Sequence, residues 1–359
     1  MLQYMEADRA LLAETDTEIV EFKAQMSLLR QKIAGSEDTR KLVQGRLQSY
    51  KYPVLSLPNE IVSEIFLHFI PPYPHPAHPV AEDSPAVLAR VCRKWREIAL
   101  ATPSLWRAIT MSSAISKSAL LWAERSRSCL LSIDGCGSGP FIMLPRDRWE
   151  YLKLRLGRDG PDISAISFPH LRSLQLTAQQ SQQSRHSFTL RDVPLLRSVS
   201  LDYANSATID LPWAQLNVFH MSNTRLSKCM PILRNSPRLE RCVLHFWVQG
   251  PSDNPDSDIL LPQLQSLYLR PFSTSLEALL RNLVAPALLR LALAENLIPA
   301  DSVIDTIQSF ISKSECKLQE LNISYATISE ASYRIAFPSI DKISVYPGKA
   351  PDFSSLEAF

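Results

Sequence analysis

Along the second half of the chain the apolar residues return in one short template. FPHLRSLQL from Phe168, VPLLRSVSL from Val193, SPRLERCVL from Ser236, LPQLQSLYL from Leu261, APALLRLAL from Ala285, CKLQELNI from Cys316 and FPSIDKISV from Phe337 all read apolar-x-x-apolar-x-apolar, and LPWAQLNVFHM from Leu211 fits with a two-residue insertion. The last two apolar positions sit one residue apart, which is the period of a strand, and the copies recur every ~20–30 residues, as stacked strand-plus-helix units do. Between copies, SLEALLRNL places Leu276, Leu279, Leu280 and Leu283 at helical spacing, and VIDTIQSFI puts Val303, Ile304, Ile307, Phe310 and Ile311 on one face. Residues 166–359 are therefore expected to form a parallel sheet alternating with helices. Alternation then sends Gln175, Ser200, Asp202, His220, His245, Tyr268, Arg270, Asn322 and Tyr346 to the face away from the leucines. Residues 111–165, with LLWAERSRS and the strand-like LLSID, read as a helical connection and a first ragged repeat.

Residues 1–51 follow a different period. Leu12, Ile19, Phe22, Met26, Leu29 and Ile33 are spaced as a heptad seam that continues to Val43, Leu47 and Tyr50, with Ser36 and Arg40 at two of its positions. Glu14, Glu18, Glu21, Lys23, Arg30 and Lys32 fill the other faces. Such a helix either lies on its own protein or pairs with another helix, most simply a second copy, so a homodimer through residues 1–51 is one expectation.

Residues 52–110 read as helical. Proline is tolerated in a first helical turn, and Ser56 is placed to cap a helix begun by Leu57-Pro58. Ile61 and Ile65 form one i,i+4 pair, Val62 and Phe66 another, and Glu60 and Glu64 mark the wet side. After the extended loop PPYPHPAHP, a second helix from Pro85 aligns Val87, Val91, Trp95 and Ile98, with Leu88 and Cys92 beside them.

Composition narrows the function. Of 359 residues, 45% are hydrophobic and 21% charged, and 38 basic against 36 acidic side chains leave a net charge of +2. That balance sets up no field for nucleic acid or an anionic membrane, and neither is expected as a partner. Six scattered cysteines without a C-x-x-C pair read as buried free thiols, which points to the cytoplasm or nucleus. No apolar run reaches the ~18 residues of a membrane span. The 9 glycines against 26 prolines favour elements begun by proline over positive-φ turns.

Leu57-Pro58, Glu60-Ile61 and Ile65-Phe66, then Val91-Cys92-Arg93-Lys94-Trp95-Arg96, then Pro103-Ser104-Leu105-Trp106, occur in order within one short segment. Together they resemble an F-box, and the preceding heptad helix resembles the layout of many fungal F-box proteins. The repeats resemble the degenerate leucine-rich repeats found behind F-boxes, although the Asn or Cys expected two residues past the last apolar position is present only as Asn296. The expected architecture is thus α/β: a coiled-coil-like helix (1–51), an all-α F-box (52–110), the ragged connection (111–165) and a leucine-rich-repeat solenoid (166–359). The resemblance implies that Leu57, Pro58, Glu60, Ile61, Ile65, Phe66, Val91, Cys92 and Trp95 dock the Skp-type adaptor of an SCF-type, cullin–RING ubiquitin ligase. His220, His245, Tyr268, Arg270 and Tyr346 are the candidates for holding a target protein.

No catalysis, cofactor or metal is expected. GCGSG at Gly135–Gly139 follows a strand-like run, but PFIMLP after it has no helical pattern to hold a phosphate. His75 and His78 lie in a proline-rich loop without a supporting glutamate, and Cys242 and His245 point to opposite faces of one strand. The expected function is a substrate receptor acting by proximity. Its rival is a non-catalytic coiled-coil and repeat scaffold whose F-box-like helices pack within the chain.

Overall fold

The computed structural model describes residues 2–49, 56–111, 117–136, 144–156, 167–178, 187–202, 208–224, 226–246, 258–270, 277–299 and 302–349. The chain divides into two compact units, Met1–Val62 and Ser63–Phe359. Most of the first is α1, Leu2–Ser49, a helix of 48 residues, about 70 Å long at the usual helical rise. No proline interrupts it, and its apolar side chains from Met5 to Leu47 are exposed.

The next helix is α2, Asn59–Phe69. It starts just after Pro58 rather than including it, and the Pro58 carbonyl accepts the Val62 N–H at 3.1 Å. The second expected helix is in fact two. Helix α3, Pro85–Val91, has Pro85 in its first turn and is capped by Ser84, whose Oγ accepts the Ala86 N–H at 3.2 Å. Helix α4, Arg93–Ala101, follows after Cys92, which is extended (φ −155°, ψ 173°) and accepts the Trp95 N–H on its sulfur at 3.5 Å. The apolar spacing from Val87 to Ile98 does not register this break, because the capping thiol offers an alternative partner to one backbone donor. A 3₁₀ turn, Pro103–Trp106, closes the segment; Trp106 is fully buried and donates its Nε1–H to the Ala99 carbonyl at 2.8 Å.

From here the chain builds a sheet. Strand β1 (Ala108–Met111), helix α5 (Lys117–Arg125), β2 (Leu131–Cys136), β3 (Trp149–Leu156) and β4 (Ser173–Ala178) begin it. Then come β5 (Ser187–Thr189), β6 (Ser198–Asp202), β7 (Thr208–Asp210), β8 (Val218–Thr224), helix α6 (Leu226–Arg234) and β9 (Arg241–Phe246). The rest is β10 (Ile259–Leu260), β11 (Ser266–Arg270), α7 (Glu277–Asn282), β12 (Leu283–Val284), β13 (Arg290–Ala294), α8 (Val303–Ser314), β14 (Glu320–Ser324), α9 (Glu330–Ala336) and β15 (Lys342–Val345). Among the described residues, eleven strands, β1-β2-β3-β4-β6-β8-β9-β11-β13-β14-β15, form one sheet in chain order, while β5 pairs with β7 and β10 with β12 in two small ones. Every described pairing is parallel. A large parallel sheet whose strands stack in sequence order is a solenoid-like arrangement.

The template explains the stacking. Its second apolar position forms an unbroken buried row across the sheet: Ile109, Ile133, Leu152, Leu174, Val199, Phe219, Cys242, Leu267, Leu291, Leu321 and Ile343 pair in register. Cys242 belongs to this row, and its thiol, like that of buried Cys229, is pushed up by burial. Before most of the template strands the first residues make a tight turn, as where the Leu264 N–H reaches the Leu261 carbonyl and the Ile340 N–H the Phe337 carbonyl, both at 3.2 Å.

With little Asn available, the backbone is satisfied differently. At several strand starts one carbonyl accepts two N–H groups from the next repeat: Asn217 from Glu240 (2.8 Å) and Arg241 (3.0 Å), and Glu240 from Gln265 (2.8 Å) and Ser266 (3.1 Å). Asn296, the residue singled out by the template, is exposed. Its neighbour Glu295 is buried instead and accepts from the Thr327 N–H (2.9 Å), the Thr327 hydroxyl and the Tyr333 hydroxyl (2.8 Å). Gly135 closes β2 against Met111, where an added Cβ would lie 3.3 Å from that residue's own Cβ; Gly137 and Gly139 lie outside the described residues.

Candidate functional site

Helix α2 carries two apolar stripes with opposite fates. Val62 and Phe66 are buried, Phe66 to 1% exposure, and the Phe66 ring meets that of Trp95 with centroids 5.0 Å apart. One position earlier in the helical turn, Ile61, Ile65 and Phe69 are 50%, 46% and 42% exposed. Large side chains repeating at i, i+4 and i+8 on a short helix are ordinarily the buried face, and here they stand in water. Val91 and Leu100 are further exposed apolar side chains on α3 and α4.

The residues expected to dock an adaptor therefore separate. Pro58, Glu60, Ile61, Ile65 and Val91 are exposed, and Leu57, Cys92 and Trp95 are half-buried. Phe66 is corrected from a contact to a support, because a side chain with 1% exposure has no surface to offer. Cys92 holds the α3–α4 corner as a cap.

Sequence reasoning passed over Tyr73, in the proline-rich loop. Its hydroxyl donates to Glu150 Oε2 at 2.9 Å, its ring meets Tyr151 edge-on at 5.3 Å, and the Arg107 guanidinium lies 3.7 Å over its face. Burial, and next the bond to Glu150, push the Tyr73 hydroxyl far above its ordinary range, so it stays protonated and donates. The Ser132 hydroxyl also donates to the Pro74 carbonyl at 2.6 Å. The loop is thus tied to β2 and to the start of β3. Nothing in its one-dimensional pattern shows this, since the partners lie far along the chain.

Comparison with known families decides what the helical segment is. Residues 54–112 match the F-box-like family. The chain carries an F-box-like domain. No curated protein gives a match to the chain. The exposed Ile61–Ile65–Phe69 stripe is thus a feature of the F-box-like domain, and Tyr73 fastens a loop of that domain to the sheet.

On the sheet, the face away from the leucine row contains two rows of the expected target-binding residues. Gln175, Ser200, His220, Tyr268 and Asn322 share one register, Asp202, His245 and Arg270 lie two residues further along their strands, and Tyr346 follows the end of β15. Two candidates differ from expectation. Tyr268 is only 6% exposed, because Val243 and Ala292, its neighbours in the row, pack with it. His220 is half-buried, with Nδ1 3.1 Å from the Ser200 hydroxyl and Nε2 3.1 Å from the Ser222 hydroxyl, so both ring nitrogens have partners within the sheet. His245, Arg270 and Tyr346 are half-buried. One step back along the same alternation lie Arg241, Arg290 and Lys342, a basic row around Glu320 that strand alternation also places on this face. Arg290 donates to the Ser266 hydroxyl at 2.8 Å and Lys342 to Glu320 at 2.7 Å.

Among the described residues, no group of three or more His, Cys, Asp or Glu side chains is placed to hold a metal ion. No described helix is long and apolar enough to cross a membrane.

Proposed function

We propose that the chain is a substrate-receptor subunit of an SCF-type, cullin–RING ubiquitin ligase, working in the cytoplasm or nucleus. Its F-box-like domain docks a Skp-type adaptor and its sheet holds a target protein. The observation that carries this reading is the Ile61–Ile65–Phe69 stripe, left in water while its neighbours Val62 and Phe66 are buried. An apolar ridge with a preformed inner support suits an interface core completed by a second chain. The sheet and its helices are read as a leucine-rich-repeat solenoid in which shared backbone carbonyls, each accepting two N–H groups, replace the usual asparagines. Target contact falls to His245, Arg270 and Tyr346 together with the basic row Arg241, Arg290 and Lys342.

Such a receptor supplies no reacting group. It raises the effective concentration of a target lysine near a ubiquitin-charged enzyme held elsewhere in the ligase. Helix α1 is read as a pairing helix. An Ile61→Asp, Ile65→Asp variant, captured against purified adaptor, tests the docking surface. The expected result is at least ~30-fold weaker capture at unchanged thermal stability, since buried anchors dominate such interfaces. Equal capture by the variant and the unsubstituted chain would instead favour the scaffold reading.

A further inference from the structure

We infer that α1 self-associates as a parallel, in-register two-stranded coiled coil. The inference rests on reading α1 as a pairing helix and is independent of the adaptor. The seam consists of Leu12, Ile19, Met26, Ile33 and Leu47 at the first core position, with Arg40 in the heptad between the last two, and Phe22, Leu29 and Val43 at the second. All eight are exposed on one unbroken helix. Burying them against a second copy removes the largest apolar liability of this segment.

The flanking charges choose the orientation. In a parallel, in-register pair, the residue before the first core position lies beside the residue after the second core position of the following heptad on the other copy. That places Glu18 beside Lys23 of the second copy and Lys32 beside Glu37, opposite signs in both cases, each repeated by symmetry. A fully overlapped antiparallel pair, which sets Met26 against Leu29 and Leu12 against Val43, brings Asp16 beside Glu37 and Lys23 beside Arg30. Like charges then meet at both places. An ion pair within α1, Lys41 with Asp38 at 3.8 Å, lies off the seam and leaves these flanks unchanged. Thr15, Ser36 and Arg40 interrupt the core and lower its stability; the long Arg40 stem can carry its charge out to water. Parallel pairing joins two receptors with their Ser49 ends at the same end of the coil.

Sedimentation equilibrium of the full chain, without adaptor, tests the inference, and a dimer mass is expected. Lys23→Glu turns two attractive contacts repulsive and is expected to raise the dissociation constant about tenfold. The double variant Glu18→Lys, Lys23→Glu restores opposite signs and is expected to return it to near the starting value. In the antiparallel arrangement Lys23→Glu would tighten association, because it removes the clash with Arg30. Under mild oxidation Leu12→Cys is expected to give a covalent dimer beyond the background of the unsubstituted chain. A monomer mass, tighter association of Lys23→Glu, or cross-linking of Leu12→Cys only when mixed with Val43→Cys overturns the inference. Residues 5–47 of α1 are exposed, so none of these variants disturbs a packed core.

Discussion

The leucine row of the sheet and the isoleucine stripe of α2 are both products of regular apolar spacing, yet the chain treats them oppositely. Leu267 and its row partners are buried and matched strand to strand, whereas Ile61, Ile65 and Phe69 stand half in water. The sheet closes because each repeat presents the same apolar pair at the same height, so every strand covers the next one. Helix α2 has the inner pair Val62 and Phe66 for its own support and leaves the outer stripe over. Periodicity therefore identifies an element, and what remains after the chain has covered its own surface identifies an interface.

A matched pair of truncations separates the two regions. Leu267→Ala is expected to cost about 2–5 kcal/mol in a denaturant titration, because it opens a cavity in a fully buried row. Ile65→Ala is expected to stay within about 0.5 kcal/mol, as surface changes do. A similar loss for both would mean that the α2 stripe is core.

Tyr268 and Arg270, two residues apart on β11, make a second pair. Tyr268→Ala is expected to lower stability by about 2–4 kcal/mol, since its ring packs between Val243 and Ala292. Arg270→Ala is expected to leave the melting temperature nearly unchanged and to weaken target recovery. Equal melting temperatures for the two variants would return Tyr268 to the surface.

Glu295 gives a smaller effect that depends on pH. Burial alone would raise its carboxyl, but the hydrogen bonds from Thr327, Tyr333 and Ile328 outweigh this and hold it below the ordinary value of 4.5. A carboxyl depressed by folding contributes stability fully above its unfolded value, and that contribution is lost as pH falls from there through the folded value. Glu295→Gln is expected to cost about 1–3 kcal/mol at neutral pH and to flatten the loss of stability below pH 4.5. Parallel stability-versus-pH curves for the two proteins would show that Glu295 is not the group responsible. The smallest expected effect is that of Tyr73→Phe, about 1 kcal/mol, because the ring contacts survive and only the bond to Glu150 is removed. Faster amide exchange in the loop around Tyr73 checks it.

Much of this was legible in one dimension. The template from Phe168 onward located the strands and their two faces, because strand alternation is a local property of the backbone. The α2 stripes were legible for the same reason, since residues four apart on a helix must share a face. The split at Cys92 was hidden, because apolar spacing runs through it and only the capping geometry reveals it. Tyr73 was hidden because its partners Glu150 and Tyr151 are distant in sequence.

Local pattern thus specifies the inventory: a long heptad helix, a short apolar helical segment, and strands of a parallel sheet in chain order. Each is set by contacts between near neighbours along the backbone. Tertiary structure alone decided which apolar positions were used up inside the chain and which were left over. It buried Phe66 under Trp95, drew Tyr268 into a row with Val243 and Ala292, put Glu295 rather than Asn296 into the interior, and left Ile61, Ile65 and Phe69 facing water. Burial depends on which surface another part of the chain can reach, and no local period contains that information.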